Sequence, residues 1–205
     1  MKDIVFIADA FYEDIPQGGA ELVNHLLIQE LQKNGFCVEK ILSFKINDAF
    51  FEAKKDSFFI VSSFLAMPAN GLEALKKQDY VLYEHDHKYH VDRNPALYQD
   101  YKIPKNKLVY QDLYNKAQSV VCQSSLHADI LLKNMPSLNS VINAGCSVWD
   151  SAFLHTVKQN LKSKPKTTKA AIMLSDNPIK GQKLAEQYCI DKNIEYELIS
   201  APSPE

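Results

Sequence analysis

The sequence predicts an α/β fold, a mostly parallel sheet with helices on both faces. Two observations predict it. Short apolar runs rich in β-branched and aromatic residues alternate along the chain with longer segments of helical spacing. At the first junction, Gly18 and Gly19 stand where a buried strand hands over to an amphipathic helix.

Asp3-Ile4-Val5-Phe6-Ile7-Ala8 reads as a buried strand. Leu22, Val23, Leu26, Leu27 and Leu31 then fall on one face of a helix, which Asn34-Gly35 stops. Phe36 to Leu42 is a second strand and Ser57 to Ser62 a third, while 45–57 has no firm assignment. Pro68 and Gly71 break the chain before a short helix over 70–78, and Tyr80 to Glu84 is a fourth strand. The segment 91–107, with Pro95 and Pro104, is a loop holding one helical turn near 96–101. Tyr110 to Ala117 is helical and Ser119 to Ser124 is a fifth strand; Ser124 or Ser125 N-caps a helix through Leu132. A sixth strand over 140–143 and a helix over 150–162 follow.

The stretch Lys162 to Lys169 carries four lysines and no acid, and reads as a solvated linker. A last βαβ unit has a strand over 170–175, a helix over 181–192 and a strand over 194–199. Such a unit buries too little to be a domain. It either packs on the first domain or begins a second one that is cut short, and truncation is the expectation.

Composition bounds the function. The chain is 46% hydrophobic and 23% charged, with a formal charge of −2, so it has no general attraction for nucleic acid or anionic membrane. Cys37, Cys122, Cys146 and Cys189 form no Cys-x-x-Cys pair, so neither zinc nor redox chemistry is signalled. Cys37 and Cys122 sit in apolar runs as small hydrophobes, which fits a reducing cytoplasm. No run approaches the roughly 20 apolar residues of a membrane span, and no signal-peptide pattern opens the chain. Trp149 and most other aromatic residues are expected in the core.

Two stretches are candidates for chemistry. Gln17-Gly18-Gly19-Ala20-Glu21 opens a helix whose unpaired N–H groups suit a phosphate or another anion, although it is neither Gly-x-Gly-x-x-Gly nor a Walker loop. The plain alternative is a turn and a cap. The second stretch is Glu84-His85-Asp86-His87, followed by His90 and Asp92 at the carboxyl end of a parallel strand, where open α/β sheets place ligands. Three readings stay open there. Residues at 85 and 87 share a strand face and can line a cleft; the group can hold zinc or manganese, as in a metal-dependent hydrolase; or the histidines hydrogen-bond loop backbone and hold 88–104 in place. Arg93 either binds a carboxylate or phosphate or pairs with Asp92 or Asp100. His25 is read as solvated.

The order of these elements resembles the start of a GT-B glycosyltransferase of the large retaining family 4. The resemblance rests on strand, Gly-Gly-Ala-Glu and helix; on a strand ending in Glu84-His85-Asp86-His87; on Ala117 to Ser124; on Val141-Ile142-Asn143-Ala144-Gly145-Cys146; and on Ile179-Lys180-Gly181 after a late strand. It implies a Rossmann-like acceptor-side domain over 1–162, a linker over 163–169, and the first βαβ piece of a donor domain over 170–205. It implies transfer of a sugar, hexosyltransferase type, from a nucleotide sugar to the hydroxyl of a glycan or other acceptor. It implies no requirement for a metal or another cofactor. His85 and His87 take the catalytic positions, with Gly18, Gly19, Glu21, Asp86, Arg93, Asn143 and Lys180 in substrate and donor binding. The family's Glu-x7-Glu signature is absent, and Ser175-Asp176-Asn177-Pro178 stands where an arginine is usual. The isolated chain is therefore expected to be weak or inactive, unless a second chain supplies the missing half. The alternative is a non-catalytic module that binds a glycan or a partner.

Overall fold

A computed structural model describes residues 3–13, 18–163 and 168–200. The chain divides into two compact units, Met1–Trp149 and Asp150–Glu205. The helix α6 (Ser151–Ser163) thus groups with the C-terminal unit, whereas the boundary implied by the resemblance falls after residue 162. Residues 164–167 of the lysine-rich stretch, and Gln17 of the glycine motif, lie outside the described residues.

The first unit is a six-stranded sheet in the order β2-β1-β3-β4-β5-β6, with every neighbouring pair parallel. Its strands are β1 (Ile4–Ala8), β2 (Val38–Leu42), β3 (Phe58–Val61), β4 (Tyr80–Glu84), β5 (Ser119–Cys122) and β6 (Val141–Asn143). Strand alternation splits its core into two clusters. Val5, Ile7, Phe59, Val61, Leu82 and Val120 point to one face, with α3 (Ala69–Leu75), α4 (Gln111–Lys116) and α5 (Ser125–Asn134) contributing Leu75, Leu113 and Leu131. Ile4, Phe6, Ala8 and Ile60 point to the other, against Val23 and Ile28 of α1 (Gly19–Lys33). All five β1 residues are buried, which is why that strand reads as a continuous apolar run rather than an alternating one.

The stretch left unassigned is ordered. Ser43–Lys45 is one 3-10 turn, and α2 (Asp48–Ala53) follows with Asn47 as its N-cap, the side chain accepting from Phe50 N–H at 3.0 Å. That short helix has one fully buried anchor, Phe51, too little periodicity to be seen in sequence. The 91–107 loop holds three 3-10 turns, at Pro95–Leu97, Gln99–Tyr101 and Lys105–Lys107, rather than one. Cys122 is buried as expected, but Cys37 is exposed just ahead of β2, and Trp149 is exposed rather than in the core.

The second unit carries α6, then β7 (Ala170–Met173) and β8 (Tyr196–Ile199) paired in parallel, joined through α7 (Gln182–Asp191). Among its described residues Ile172 and Cys189 are the buried apolar ones, while Leu184 is 78% exposed. Among the described residues no helix is long and apolar enough to cross a membrane.

Candidate functional site

The strand order reverses between β1 and β3: the chain steps from β1 out to β2 and returns past β1 to β3. At such a switch point the loops leaving adjacent carboxyl ends diverge and leave a crevice. It is present here, with a volume of about 220 Å³. Asp9 and Ala10 follow β1, Ser62 and Ser63 follow β3, Ala20, Glu21 and Asn24 come from α1, and His85, Asp86, Lys88 and Arg93 follow β4. A larger cavity of about 410 Å³ lies between α3 and the start of α4, and an apolar one of about 350 Å³ lies over Ile60, Val81 and Val121. Convergence of polar groups, not volume, selects the switch-point crevice.

Asp9 closes the floor. The hydroxyls of Ser43 and Ser63 donate to its two carboxylate oxygens, and the N–H groups of Leu65 and Ala66 donate at 3.1 and 3.2 Å. One side chain thus ties together the ends of β1, β2 and β3. Sequence reasoning missed it; the available signal was an acid directly after a buried strand.

Asp86, Lys88 and Arg93 line one wall, and the buried Glu84 pairs with Lys88 from outside the lining. Glu84, 2% exposed, accepts from Lys88 Nζ at 3.1 Å, from Asp86 N–H at 3.1 Å, and from the Tyr114 hydroxyl. Lys88 also pairs with Asp86, and Arg93 Nη1 donates to Asp86 Oδ2 at 3.0 Å. Arg93 therefore answers Asp86, not Asp92 or Asp100, and holds this position with a left-handed φ of 51°. Burial pushes the Glu84 carboxyl up to about 7. Burial works against charge on Lys88 too, but Glu84 and Asp86 hold its ammonium above the usual lysine range. Asp86 lies below the usual carboxylate range, because Lys88 and then Arg93 outweigh its burial.

The two predicted catalytic histidines do not share a face. β4 ends at Glu84, so the strand period does not run through 85 and 87. His85 faces the crevice with Nε2 2.8 Å from Asn24 Oδ1 and Nδ1 2.6 Å from Gln123 Nε2. Both ring nitrogens are occupied, and burial brings the ring down to about 4. His87 packs instead against His127, ring centroids 4.5 Å apart, and its Nδ1 is 2.9 Å from the Tyr89 hydroxyl. Burial lowers it also to about 4. Holding the loop falls to the buried His90, whose Nδ1 accepts from Asn94 N–H at 3.3 Å and whose backbone bridges Leu108. Among the described residues no three His, Cys, Asp or Glu side chains are grouped to hold a metal ion.

Gly18 is the extended N-cap of α1, at φ −130°, and Gly19 its first residue, so neither uses a left-handed backbone. A Cβ at Gly18 would stand 1.8 Å from Glu21 Oε2, while one at Gly19 would meet nothing within 4 Å. The Glu21 carboxylate thus lies back over the helix start, where an anion would have to sit. Asn143 ends β6 and accepts from Gly145 N–H at 2.9 Å, closing a turn outside the crevice lining. Lys180 ends the 3-10 turn Pro178–Lys180 in the second unit, ahead of Gly181 at φ 71°. His25 is bonded rather than solvated, to Glu13 and Gln29 at 2.9 Å each.

No family model and no curated protein matches the chain. Among solved structures, a flavodoxin from Streptococcus pneumonia TIGR4 aligns over 78% of this chain and 94% of its own, at 12% identity and a TM-score of 0.31. That likeness is too slight to bear on function; the α/β class rests on the parallel sheet itself.

Proposed function

We propose that this chain is the acceptor-side part of a GT-B-type glycosyltransferase, and that the switch-point crevice receives the hydroxyl-bearing acceptor. The observation that carries this reading is the charge pairing in the crevice. Lys88 and Arg93 are both answered by acids, and Glu21 covers the helix start. A diphosphate needs unmatched cations or free N–H groups. A sugar hydroxyl, donor and acceptor at once, suits the remaining carboxylate, amide and hydroxyl groups. In the complete reaction the sugar passes from a nucleotide sugar to that hydroxyl, with placement as the protein's chief contribution. His85 positions rather than takes the proton, since neither ring nitrogen is free. That same occupancy favours the second reading, a module that binds a glycan without transferring to it.

A thermal-shift screen tests this. Methyl glycosides and short oligosaccharides should raise the melting temperature, because a ligand of the folded state stabilises it by mass action. The rise should disappear in Ser62→Val, which fills the crevice floor. Stabilisation by nucleoside diphosphates alone would overturn the acceptor reading. A bound glycoside that is never extended when nucleotide sugars are added would select the binding module.

A further inference from the structure

One continuous hydrogen-bond chain crosses the carboxyl edge of the sheet. Ser147 Oγ is 2.9 Å from Gln123 Oε1, and Gln123 Nε2 is 2.6 Å from His85 Nδ1. His85 Nε2 is 2.8 Å from Asn24 Oδ1, and Asn24 Nδ2 is 2.7 Å from Ser62 Oγ. It starts in the turn after β6, passes the ends of β5 and β4, enters α1, and ends at the crevice floor after β3.

Every link can reverse. A hydroxyl donates or accepts, an amide turns over by rotation, and a neutral imidazole has two tautomers. Two complete arrangements therefore exist. In one, all donors run from Ser147 towards Ser62 and the ring proton is on Nε2. In the other, both amides are turned, all donors run back, and the ring proton is on Nδ1. A mixed arrangement with a neutral ring sets two donors or two acceptors against each other, which buried groups do not tolerate. Asn24 and Ser62 are both buried, so water does not relieve a mismatch on their side of the ring; His85 and Gln123 are half-buried, and there the 2.6 Å contact leaves no room for a water between them. Burial keeps the ring neutral.

We propose that Asn24, His85 and Gln123 form a polarity relay, in which the group a ligand presents to Ser62 Oγ selects the tautomer of His85 and the direction of the bond between Gln123 and Ser147. A ligand oxygen that accepts from Ser62 draws the hydroxyl proton outward and fixes Nε2–H. A ligand O–H that donates to Ser62 Oγ turns that proton inward to Asn24 and fixes Nδ1–H. His85 is then a positioning residue, and occupancy of the crevice is felt at Ser147, within the last residues of the first unit. The relay's use rests on the crevice being the ligand site proposed above.

Long-range 1H–15N correlation of the His85 ring in the full chain reads the tautomer directly. Asn24→Asp supplies an acceptor alone at Nε2 and should hold the proton there. Gln123→Glu supplies an acceptor alone at Nδ1 and should move it to that nitrogen. One tautomer in both folded variants overturns the relay. The wild-type ring gives a reading that needs no variant: it should show one protonated and one bare nitrogen at about pH 5, where an ordinary imidazole is charged. A charged ring there overturns the relay as well. With a methyl glycoside bound, the two ring 15N shifts should change; binding that leaves them fixed overturns the ligand coupling. Opposite tautomers in the two variants, with no glycoside bound at any concentration, keep the relay and reject the acceptor reading.

Discussion

At the scale of single residues, the buried titratable groups make stability depend on pH in a definite sense. The unfolded chain protonates His85 and His87 near 6.5, whereas the fold holds both down to about 4. Their contribution is present above 6.5 and is lost as pH falls towards 4. Glu84 acts in the opposite sense: its ordinary value is 4.5 and its folded value about 7, so its contribution is present below 4.5 and is lost as pH rises towards 7. Burial holds His90 and His127 below the usual imidazole value as well, so the rings outnumber the one carboxyl and stability rises with pH between 4.5 and 6.5. Urea unfolding across this window should show the rise, and Glu84→Gln should steepen it by about 1.4 kcal/mol per pH unit. A slope that flattens in the variant contradicts the assignment. Asp9→Ala leaves two hydroxyls and two N–H groups without their acceptor and should cost about 2–4 kcal/mol in the same measurement.

Helix caps and helix contacts are read at the scale of elements. Ser124 caps α5 by accepting from His127 N–H at 3.2 Å, so Ser124→Ala should lose about 1 kcal/mol. Gly71 lies inside α3, where an alanine ordinarily stabilises a helix. Here a Cβ would stand 2.9 Å from the Ile46 carbonyl oxygen and 3.1 Å from Met67 Cγ. Gly71→Ala should therefore destabilise, by about 1–3 kcal/mol, because backbone moves before the clash is relieved. A stabilised variant would mean that α3 slides freely against the turn before α2.

The two units differ in how much they bury, and this sets the behaviour of the whole molecule. The first has clusters on both faces of a six-stranded sheet. The second has a two-stranded pair, with Ile172 and Cys189 as the buried apolar residues among those described. A two-stranded pair with so small a buried apolar set is marginal alone. Native-state hydrogen exchange should find the amides of β1 and β3 opening only with global unfolding, and those of β7 and β8 opening far sooner. Equal protection in both units would contradict this difference.

The sequence by itself determined the α/β class, the strand–helix alternation and the end of β4 at Glu84, because each rests on local periodicity and caps that a short window contains. It also marked the right stretch for the crevice, since an acid-and-histidine run after a buried strand is visible without partners. What it did not hold were the partners themselves. Asn24, Ser62 and Gln123 look like ordinary polar residues until the strand order β1-β3-β4-β5 brings them to one edge beside His85. Likewise His85 and His87, two residues apart, part company only because the strand ends before them and the loop turns one ring to α1 and the other to α5. Strand order is a property of the whole sheet, set by which apolar faces pack together; no segment of the chain encodes it alone, so the site's geometry was the tertiary structure's to decide.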